Sequence, residues 1–205
     1  MTELLPLSKL EDRQFGGLKW VDPTQVLINL RRLEANLPER MNEKVRRLRT
    51  NQLKESREAR AAALFSYGIG KAVLGTNTQV AKVEDRDFDF VMRWSDEKAN
   101  YYYPVQLKEL PPDDLNPDVS LEDILAKLAK YSGPQNLSVA VQINRRMRLE
   151  HRPLTSDSKP HLLELWYFGC ASEDQSRWFL YGSALKANAR HYEFEYPEGT
   201  PNPGC

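Results

Sequence analysis

The spacing of apolar residues is helical up to about Gly70 and alternates after it. Asp22-Pro23-Thr24-Gln25 combines a capping side chain with proline at the first helical position, so it predicts a helix that stops near Pro38. A second, long helix is predicted over residues 39–67, with a charged first half, an apolar second half and glycines at its end. The first part of the chain is therefore predicted to be helical.

Period-two patterns and turn residues dominate the rest of the sequence. Ser120-Leu121-Glu122-Asp123 has the form of a capping box and predicts one further helix that stops at Gly133-Pro134. The predicted strands cover residues 78–83, 86–94, 101–110, 137–143, 161–171 and 177–185. The last two are expected to form a hairpin.

The order of these elements predicts an α/β fold with a mixed central sheet flanked by helices. Residues 1–50 are expected to form an N-terminal helical extension, and residues 51–190 the α/β domain with its C-terminal β-hairpin. Residues 191–205 are expected to be a flexible C-terminal tail, since the chain ends in a Pro- and Gly-rich segment. No internal repeat or low-complexity linker interrupts the sequence, which favours one domain.

Composition excludes several classes of protein. Of the 205 residues, 40% are hydrophobic and 28% charged, which is enough apolar side chain for a core. No apolar run approaches the roughly 18 residues of a membrane span, and the N-terminus lacks the pattern of a secretory signal. The two cysteines provide no disulfide framework. A cytoplasmic protein that does not associate with membranes is therefore expected.

Charge is balanced over the whole chain but unevenly distributed. The formal net charge is zero, yet residues 31–60 contain ten Lys and Arg against five Glu. A second basic cluster consists of Arg145, Arg146, Arg148 and Arg152. Acidic residues concentrate at residues 84–89. Basic surfaces beside a compact acidic segment suit a metal-dependent enzyme that acts on a polyanion, although a solvated helix has the same composition.

Two consecutive predicted strands place acidic, amide and lysine side chains close together. Residues two apart on a strand share a face, so Gln106 and Lys108 point the same way near the end of an apolar strand. If the preceding strand pairs with this one as a hairpin, Asp87 or Asp89 at its start lies across from them. A carboxylate and an amide oxygen are ligands for a hard cation, and a lysine can orient or activate water.

This arrangement resembles the PD-(D/E)xK nuclease superfamily, whose restriction-endonuclease-like fold has an αβββαβ core. That family carries a glutamate on the helix, an aspartate on the second strand and (D/E/Q)-x-K on the third. Asp89 and Gln106-Leu107-Lys108 match this pattern in type and order, with Gln106 seventeen residues after Asp89. Gln106 replaces the usual acid, and no proline precedes Asp89. The similarity covers about residues 52–143.

The resemblance implies a nuclease, dependent on Mg²⁺ or Mn²⁺, that hydrolyses phosphodiester bonds of nucleic acid, with DNA favoured over RNA. It implies that Asp89, Gln106 and the backbone carbonyl of Leu107 bind the metal and that Lys108 aligns or activates water. Glu58 is the candidate for the helical glutamate, bound to a second metal or to a metal-bound water. Glu58 shares an apolar helix face, where a carboxylate needs a partner. Glu55, one turn earlier, is the reserve.

Contacts with nucleic acid are expected from basic and aromatic residues on the helices. These residues are Arg46, Arg47, Lys54, Arg57, Lys127 and Tyr131. The segment of residues 127–131 is similar to a Gln-x-x-x-Tyr pattern that some members of the superfamily carry, with Lys127 in place of the glutamine.

Other interpretations of the same residues stay open. Asp87 and Asp89 can cap a strand, Lys108 can protect a strand edge from aggregation, and Glu58 can pair with a neighbouring arginine. For the whole protein, one alternative is a catalytically degenerate nucleic-acid-binding or regulatory protein on the same fold. Another is a structural protein, for example a homodimer formed through the N-terminal helices.

Overall fold

One mixed sheet with helices on both faces makes up the part of the chain that the computed structural model describes, residues 14–36, 54–83, 87–129, 137–149 and 162–198. The α-helices are α1 (Pro23–Ala35), α2 (Lys54–Gly68) and α3 (Leu121–Ala129), and a π-helical segment, Ile69–Leu74, follows α2. The strands are β1 (Gln79–Lys82), β2 (Phe90–Ser95), β3 (Asn100–Leu110), β4 (Ser138–Ile143), β5 (Glu164–Cys170), β6 (Arg177–Gly182) and β7 (Arg190–Glu195). The prediction of an α/β fold with a mixed sheet is confirmed.

The seven strands lie in the sheet in the order in which they occur in the sequence. Strands β1, β2 and β3 form an antiparallel meander, and β5, β6 and β7 form another. Between the two meanders, β3, β4 and β5 run parallel. Parallel neighbours need a crossover connection, and the β3–β4 crossover contains α3.

The register of β3 with β4 shows which side chains face which helix. Leu107 pairs with Ala140, and both pack in the core that includes Leu64 and Phe65 of α2. The neighbouring positions alternate to the opposite face. There, residues 139 and 141 of β4 pack in a second core with residues 124 and 128 of α3. Helix α2 therefore covers one face of the sheet, and α3 covers the other.

Local sequence signals explain where the helices begin. The Asp22 carboxylate accepts a hydrogen bond from the Thr24 backbone N–H at 2.8 Å, as the capping motif predicts. At α3, the Asp123 N–H donates to Ser120 Oγ at 3.1 Å, and the Ser120 N–H donates to Asp123 Oδ2 at 3.0 Å. The Ser120 hydroxyl also donates to Asp123 Oδ2 at 2.6 Å, and this bond, followed by the bond from the Ser120 N–H, lowers the pKa of Asp123. Both predicted caps are confirmed.

The end of the domain differs from the prediction. Residues 191–198 are not a flexible tail, because Arg190–Glu195 forms β7 and pairs with β6. Phe194 and Tyr196 are buried, and Tyr196 Oη donates to the Leu27 carbonyl oxygen of α1 at 2.8 Å. The physical reason is an alternation of charged and aromatic residues, which suits an edge strand with one buried face. Residues 199–205 of the predicted tail lie outside the described residues.

One further boundary is corrected. The strand predicted over residues 86–94 begins only at Phe90, so Asp87 and Asp89 precede it. Helix α1, which lies in the predicted N-terminal extension of residues 1–50, contributes Leu27 to the same core as α2. Within the described ranges, no helix has the length and apolar character that crossing a membrane requires.

Candidate functional site at the end of strand β2

Strand β3 extends beyond the end of its pairing with β2. Phe90, the first residue of β2, lies opposite Val105, whereas β3 continues to Leu110 in register with β4. The residue before β2, Asp89, donates its backbone N–H to the Val105 carbonyl oxygen at 3.0 Å. A gap in the ladder, here called the β2 gap, therefore opens beside residues 106–110 of β3.

The Asp89 side chain lies in the β2 gap. Its Oδ2 accepts a hydrogen bond from the Leu107 backbone N–H at 2.7 Å, and Asp89 is exposed. The N–H and C=O of one strand residue point to the same neighbour. The Leu107 carbonyl oxygen therefore faces the same gap as the Asp89 carboxylate, which places two oxygen ligands there.

Gln106 and Lys108 flank this position on β3. They lie opposite Val139 and Val141, whose side chains face α3, so both side chains are on that face of the sheet. Both are partly buried, and Lys108 forms no hydrogen bond or ion pair with any residue in the described ranges. The Asp89 carboxylate thus bonds to the backbone amide of the residue between Gln106 and Lys108.

No hydrogen bond or ion pair joins Glu58 to these residues in the described part of the chain. It lies on α2, which covers the opposite face of the sheet from Gln106 and Lys108. Its carboxylate is 43% exposed and lies 3.6 Å from Lys54 Nζ, so it is solvated and paired along its own helix. The reserve candidate, Glu55, bonds Lys82 Nζ at 2.9 Å. The predicted role of Glu58 beside Asp89 stays a prediction, because an apolar helix stripe does not specify which sheet face the helix covers, and α2 covers the face opposite to Gln106 and Lys108.

A charged group on the α2 side of β3 was not predicted. Glu109 Oε1 accepts a hydrogen bond from Asn144 Nδ2 at 2.5 Å, and Arg57 Nε lies 3.9 Å from Glu109 Oε2. The three residues connect α2, the end of β3 and the residue after β4. The sequence contained one signal for this group, since Glu109 shares a strand face with the partly buried Leu107 and therefore needs a partner.

Of the residues expected to bind nucleic acid, the three that the structure describes do not form one surface. Arg57 is only 29% exposed and is paired with Glu109, which argues against its predicted role. Lys54 is exposed and pairs with Glu58, and Lys127 is exposed on α3. Since α2 and α3 lie on opposite faces of the sheet, Lys54 and Lys127 are separated by it. Arg46, Arg47 and Tyr131 lie outside the described residues.

The oxygen atoms at the β2 gap can be compared with the coordination that divalent cations prefer. In the described part of the chain, no three His, Cys, Asp or Glu side chains are close enough to form a metal site of their own. Mg²⁺ often takes only one or two carboxylates and completes its octahedron with water and substrate phosphate. The Asp89 carboxylate and the Leu107 carbonyl are oxygen donors of the type that such an ion takes, and Gln106 lies next to Leu107 on β3.

Comparison with protein-family models, with curated proteins and with solved structures finds no significant match for this chain.

Proposed function

We propose that this protein is a Mg²⁺-dependent nuclease that hydrolyses phosphodiester bonds, with DNA as the favoured substrate. The observation that carries the proposal is the 2.7 Å hydrogen bond from the Leu107 N–H to Asp89 Oδ2. This contact puts the acid beside the Gln106-Leu107-Lys108 segment at an exposed break in the sheet. The order α2-β1-β2-β3-α3-β4 also agrees with the αβββαβ core that the resemblance implies.

The residues of the β2 gap divide into two roles. Asp89, Gln106 and the Leu107 carbonyl would hold the cation together with a phosphate oxygen of the substrate. When bound, Mg²⁺ supplies positive charge that stabilises the phosphate and lowers the pKa of a coordinated water. Lys108 keeps its ammonium group free of protein partners in the described ranges, so it is available to orient water or the phosphate.

The first test is the variant Lys108→Ala with a labelled DNA duplex and Mg²⁺. A positioned acid–base or orienting group contributes roughly 10²- to 10⁴-fold to rate, so cleavage should fall by at least about 100-fold. Circular dichroism should show an unchanged fold, because Lys108 has no described partner to lose. Lys98→Ala, which removes an exposed lysine from the connection between β2 and β3, is the matched control. Full activity of Lys108→Ala contradicts the proposal.

A second function, binding of nucleic acid without cleavage, is favoured by one observation. Asp89 is the carboxylate that bonds to the Gln106-Leu107-Lys108 segment, while Glu58 lies on the other side of the sheet and Gln106 is neutral. The variant Gln106→Glu distinguishes the two functions, because a second carboxylate should strengthen Mg²⁺ binding at a working site. Gln142→Glu adds the same charge on β4 and serves as the control. A gain in Mg²⁺ affinity or cleavage for Gln106→Glu alone supports the nuclease, and no metal response supports the non-cleaving protein.

A further inference from the structure

The segment after β4 forms a loop that the structure holds in place through one arginine. This segment, residues 144–149, is here called the arginine loop. Arg145 Nε donates to the Pro111 carbonyl at 2.7 Å and Nη2 donates to the Asn116 carbonyl at 3.0 Å, and Nη1 lies 2.8 Å from Asp113 Oδ1. The Arg145 side chain is only 11% exposed. It therefore anchors the arginine loop to the loop that follows β3.

The next residues of the arginine loop project into solvent. Arg146 forms an ion pair with Glu173, but the two side chains are 87% and 85% exposed, and such a pair contributes little. Arg148 is exposed and forms no hydrogen bond or ion pair with the rest of the described chain. Met147, between them, is 41% exposed. Two cations are thus displayed on an anchored backbone, which lowers the entropic cost of binding a ligand.

An exposed apolar side chain lies on the other loop that Arg145 contacts. Leu115 is 39% exposed and lies in the segment whose Pro111 and Asn116 carbonyls Arg145 binds. The combined surface therefore offers guanidinium groups for phosphates and apolar atoms for sugars or bases. Arginine matches phosphate geometry through paired N–H donors.

The arginine loop is close to the β2 gap. The Asn144 N–H donates to the Leu110 carbonyl at 3.0 Å, so the loop starts beside the last residue of β3. Leu110 lies two residues after Lys108, which is about 7 Å along a strand. Nucleotides of a DNA strand rise about 3.4 Å each, so phosphates a few nucleotides from the β2 gap would lie alongside this loop.

We propose that the arginine loop is a binding site for the phosphate backbone of DNA and contacts phosphates next to the bond that is cleaved. Arg146 and Arg148 bind neighbouring phosphates, while Arg145 fixes the loop. The position of this site relative to cleavage rests on the proposed nuclease function, whereas the binding itself can be measured without cleavage.

The test is the double variant Arg146→Ala, Arg148→Ala in the full chain. Its affinity for a fluorescent DNA duplex is measured without divalent metal over a series of salt concentrations. Each lost phosphate contact lowers the slope of log affinity against log salt by about 0.9, so the double variant should lose about 1.8. At low salt, its affinity should fall at least about tenfold.

The matched control is Lys98→Ala, Arg190→Ala. It removes two exposed cations from the end of the sheet where β3 and β7 begin, which is opposite to the end that carries the arginine loop. Lys98 precedes the first residue of β3, and Arg190 pairs with Gly182 at the far end of β6. Its salt slope should equal that of the wild-type protein. An equal loss of DNA affinity and salt slope in both double variants overturns the inference, since the general positive charge would then explain the binding. A wild-type protein that binds no DNA also overturns it.

The outcome separates this inference from the proposed function. If the loop variant binds DNA like the wild-type protein while the wild-type protein cleaves, the inference is wrong and the nuclease proposal is retained. If the loop variant loses binding as expected but the wild-type protein cleaves nothing with Mg²⁺ or Mn²⁺, the inference is supported and the nuclease proposal fails.

Discussion

Two acidic residues of the sheet differ in burial and in their hydrogen-bond partners. Glu164, at the start of β5, is buried, whereas Asp89, in the β2 gap, is exposed. Glu164 is 2% exposed, and its Oε2 accepts hydrogen bonds from Tyr103 Oη at 2.7 Å and from Trp166 Nε1 at 2.8 Å. Its Oε1 lies 3.2 Å from Lys186 Nζ. Every part of this carboxylate has a protein partner, as a buried charge requires.

Asp89 has unused binding capacity. It is exposed, its Oδ2 bonds to the Leu107 N–H, and Oδ1 accepts no hydrogen bond from a residue in the described ranges. Lys108, close by on β3, also has no partner there. The partners of Glu164 tie it to the fold, whereas Asp89 keeps an exposed carboxylate oxygen that accepts no hydrogen bond from the described residues.

The pKa of Tyr103 indicates that the Glu164 group has a structural role. Burial and then the Glu164 carboxylate raise the pKa of Tyr103 well above its ordinary value. The phenol therefore stays protonated and donates to Glu164 throughout the pH range in which the protein would be studied. A catalytic residue would need a pKa near the working pH, so the shift supports a structural role.

The largest expected effect on stability is that of Glu164→Ala. The change leaves the buried Tyr103 hydroxyl without its acceptor and Trp166 Nε1 with only the Tyr103 oxygen, so the free energy of unfolding should fall by about 3 kcal/mol. Urea denaturation measures this loss, and cleavage per folded molecule should be unchanged. A loss below about 1 kcal/mol would remove the contrast with Asp89. Should this variant fail to fold, Glu164→Gln, which keeps one oxygen acceptor, provides the smaller measurable loss.

A smaller effect is expected for Trp166→Phe, which removes one donor from Glu164. The loss should be about 1 kcal/mol, the net value of one such hydrogen bond. Trp20→Phe is the control, because Trp20 Nε1 is buried and has no hydrogen-bond partner in the described ranges. It should be less destabilised than Trp166→Phe in the same urea titration. Equal losses would show that ring size, rather than the bond to Glu164, determines stability.

The smallest effect on stability is expected for Asp89→Asn. The amide oxygen of asparagine can still accept the Leu107 N–H, and an exposed site contributes little, so stability should change by about 0.5 kcal/mol or less. Mg²⁺-dependent cleavage should nevertheless be lost, because the charged ligand is gone. A variant that cleaves normally shows that Asp89 only caps the end of the β2 ladder.

Much of the fold follows from local signals in the sequence. The caps at Asp22 and Ser120 act within one turn, so residue types and spacing identify them. The neighbourhood of Asp89 and Leu107 also follows from sequence, because a hairpin with a short connection has few registers. These contacts depend on residues close together along the chain.

The remaining features depend on packing between distant segments. Glu58 has the helical spacing of a buried face, yet only the assembled sheet shows that α2 covers the face opposite Gln106. The sequence signal for strand β7 is weak. The strand forms because it pairs with the edge of β6 and because the Leu27 carbonyl of α1 accepts a hydrogen bond from Tyr196. Arg145 is anchored by backbone carbonyls about thirty residues away, which have no side-chain signature.

The most direct test of the proposed metal site is a crystal of the wild-type protein soaked in Mn²⁺, with anomalous diffraction recorded at the manganese edge. We expect a peak in the β2 gap, about 2.1 Å from an Asp89 carboxylate oxygen and from the Leu107 carbonyl oxygen. The same soak of Asp89→Asn should lack the peak. No anomalous density beside Asp89 in the wild-type crystal, or an equal peak in both proteins, would contradict a metal site at this position.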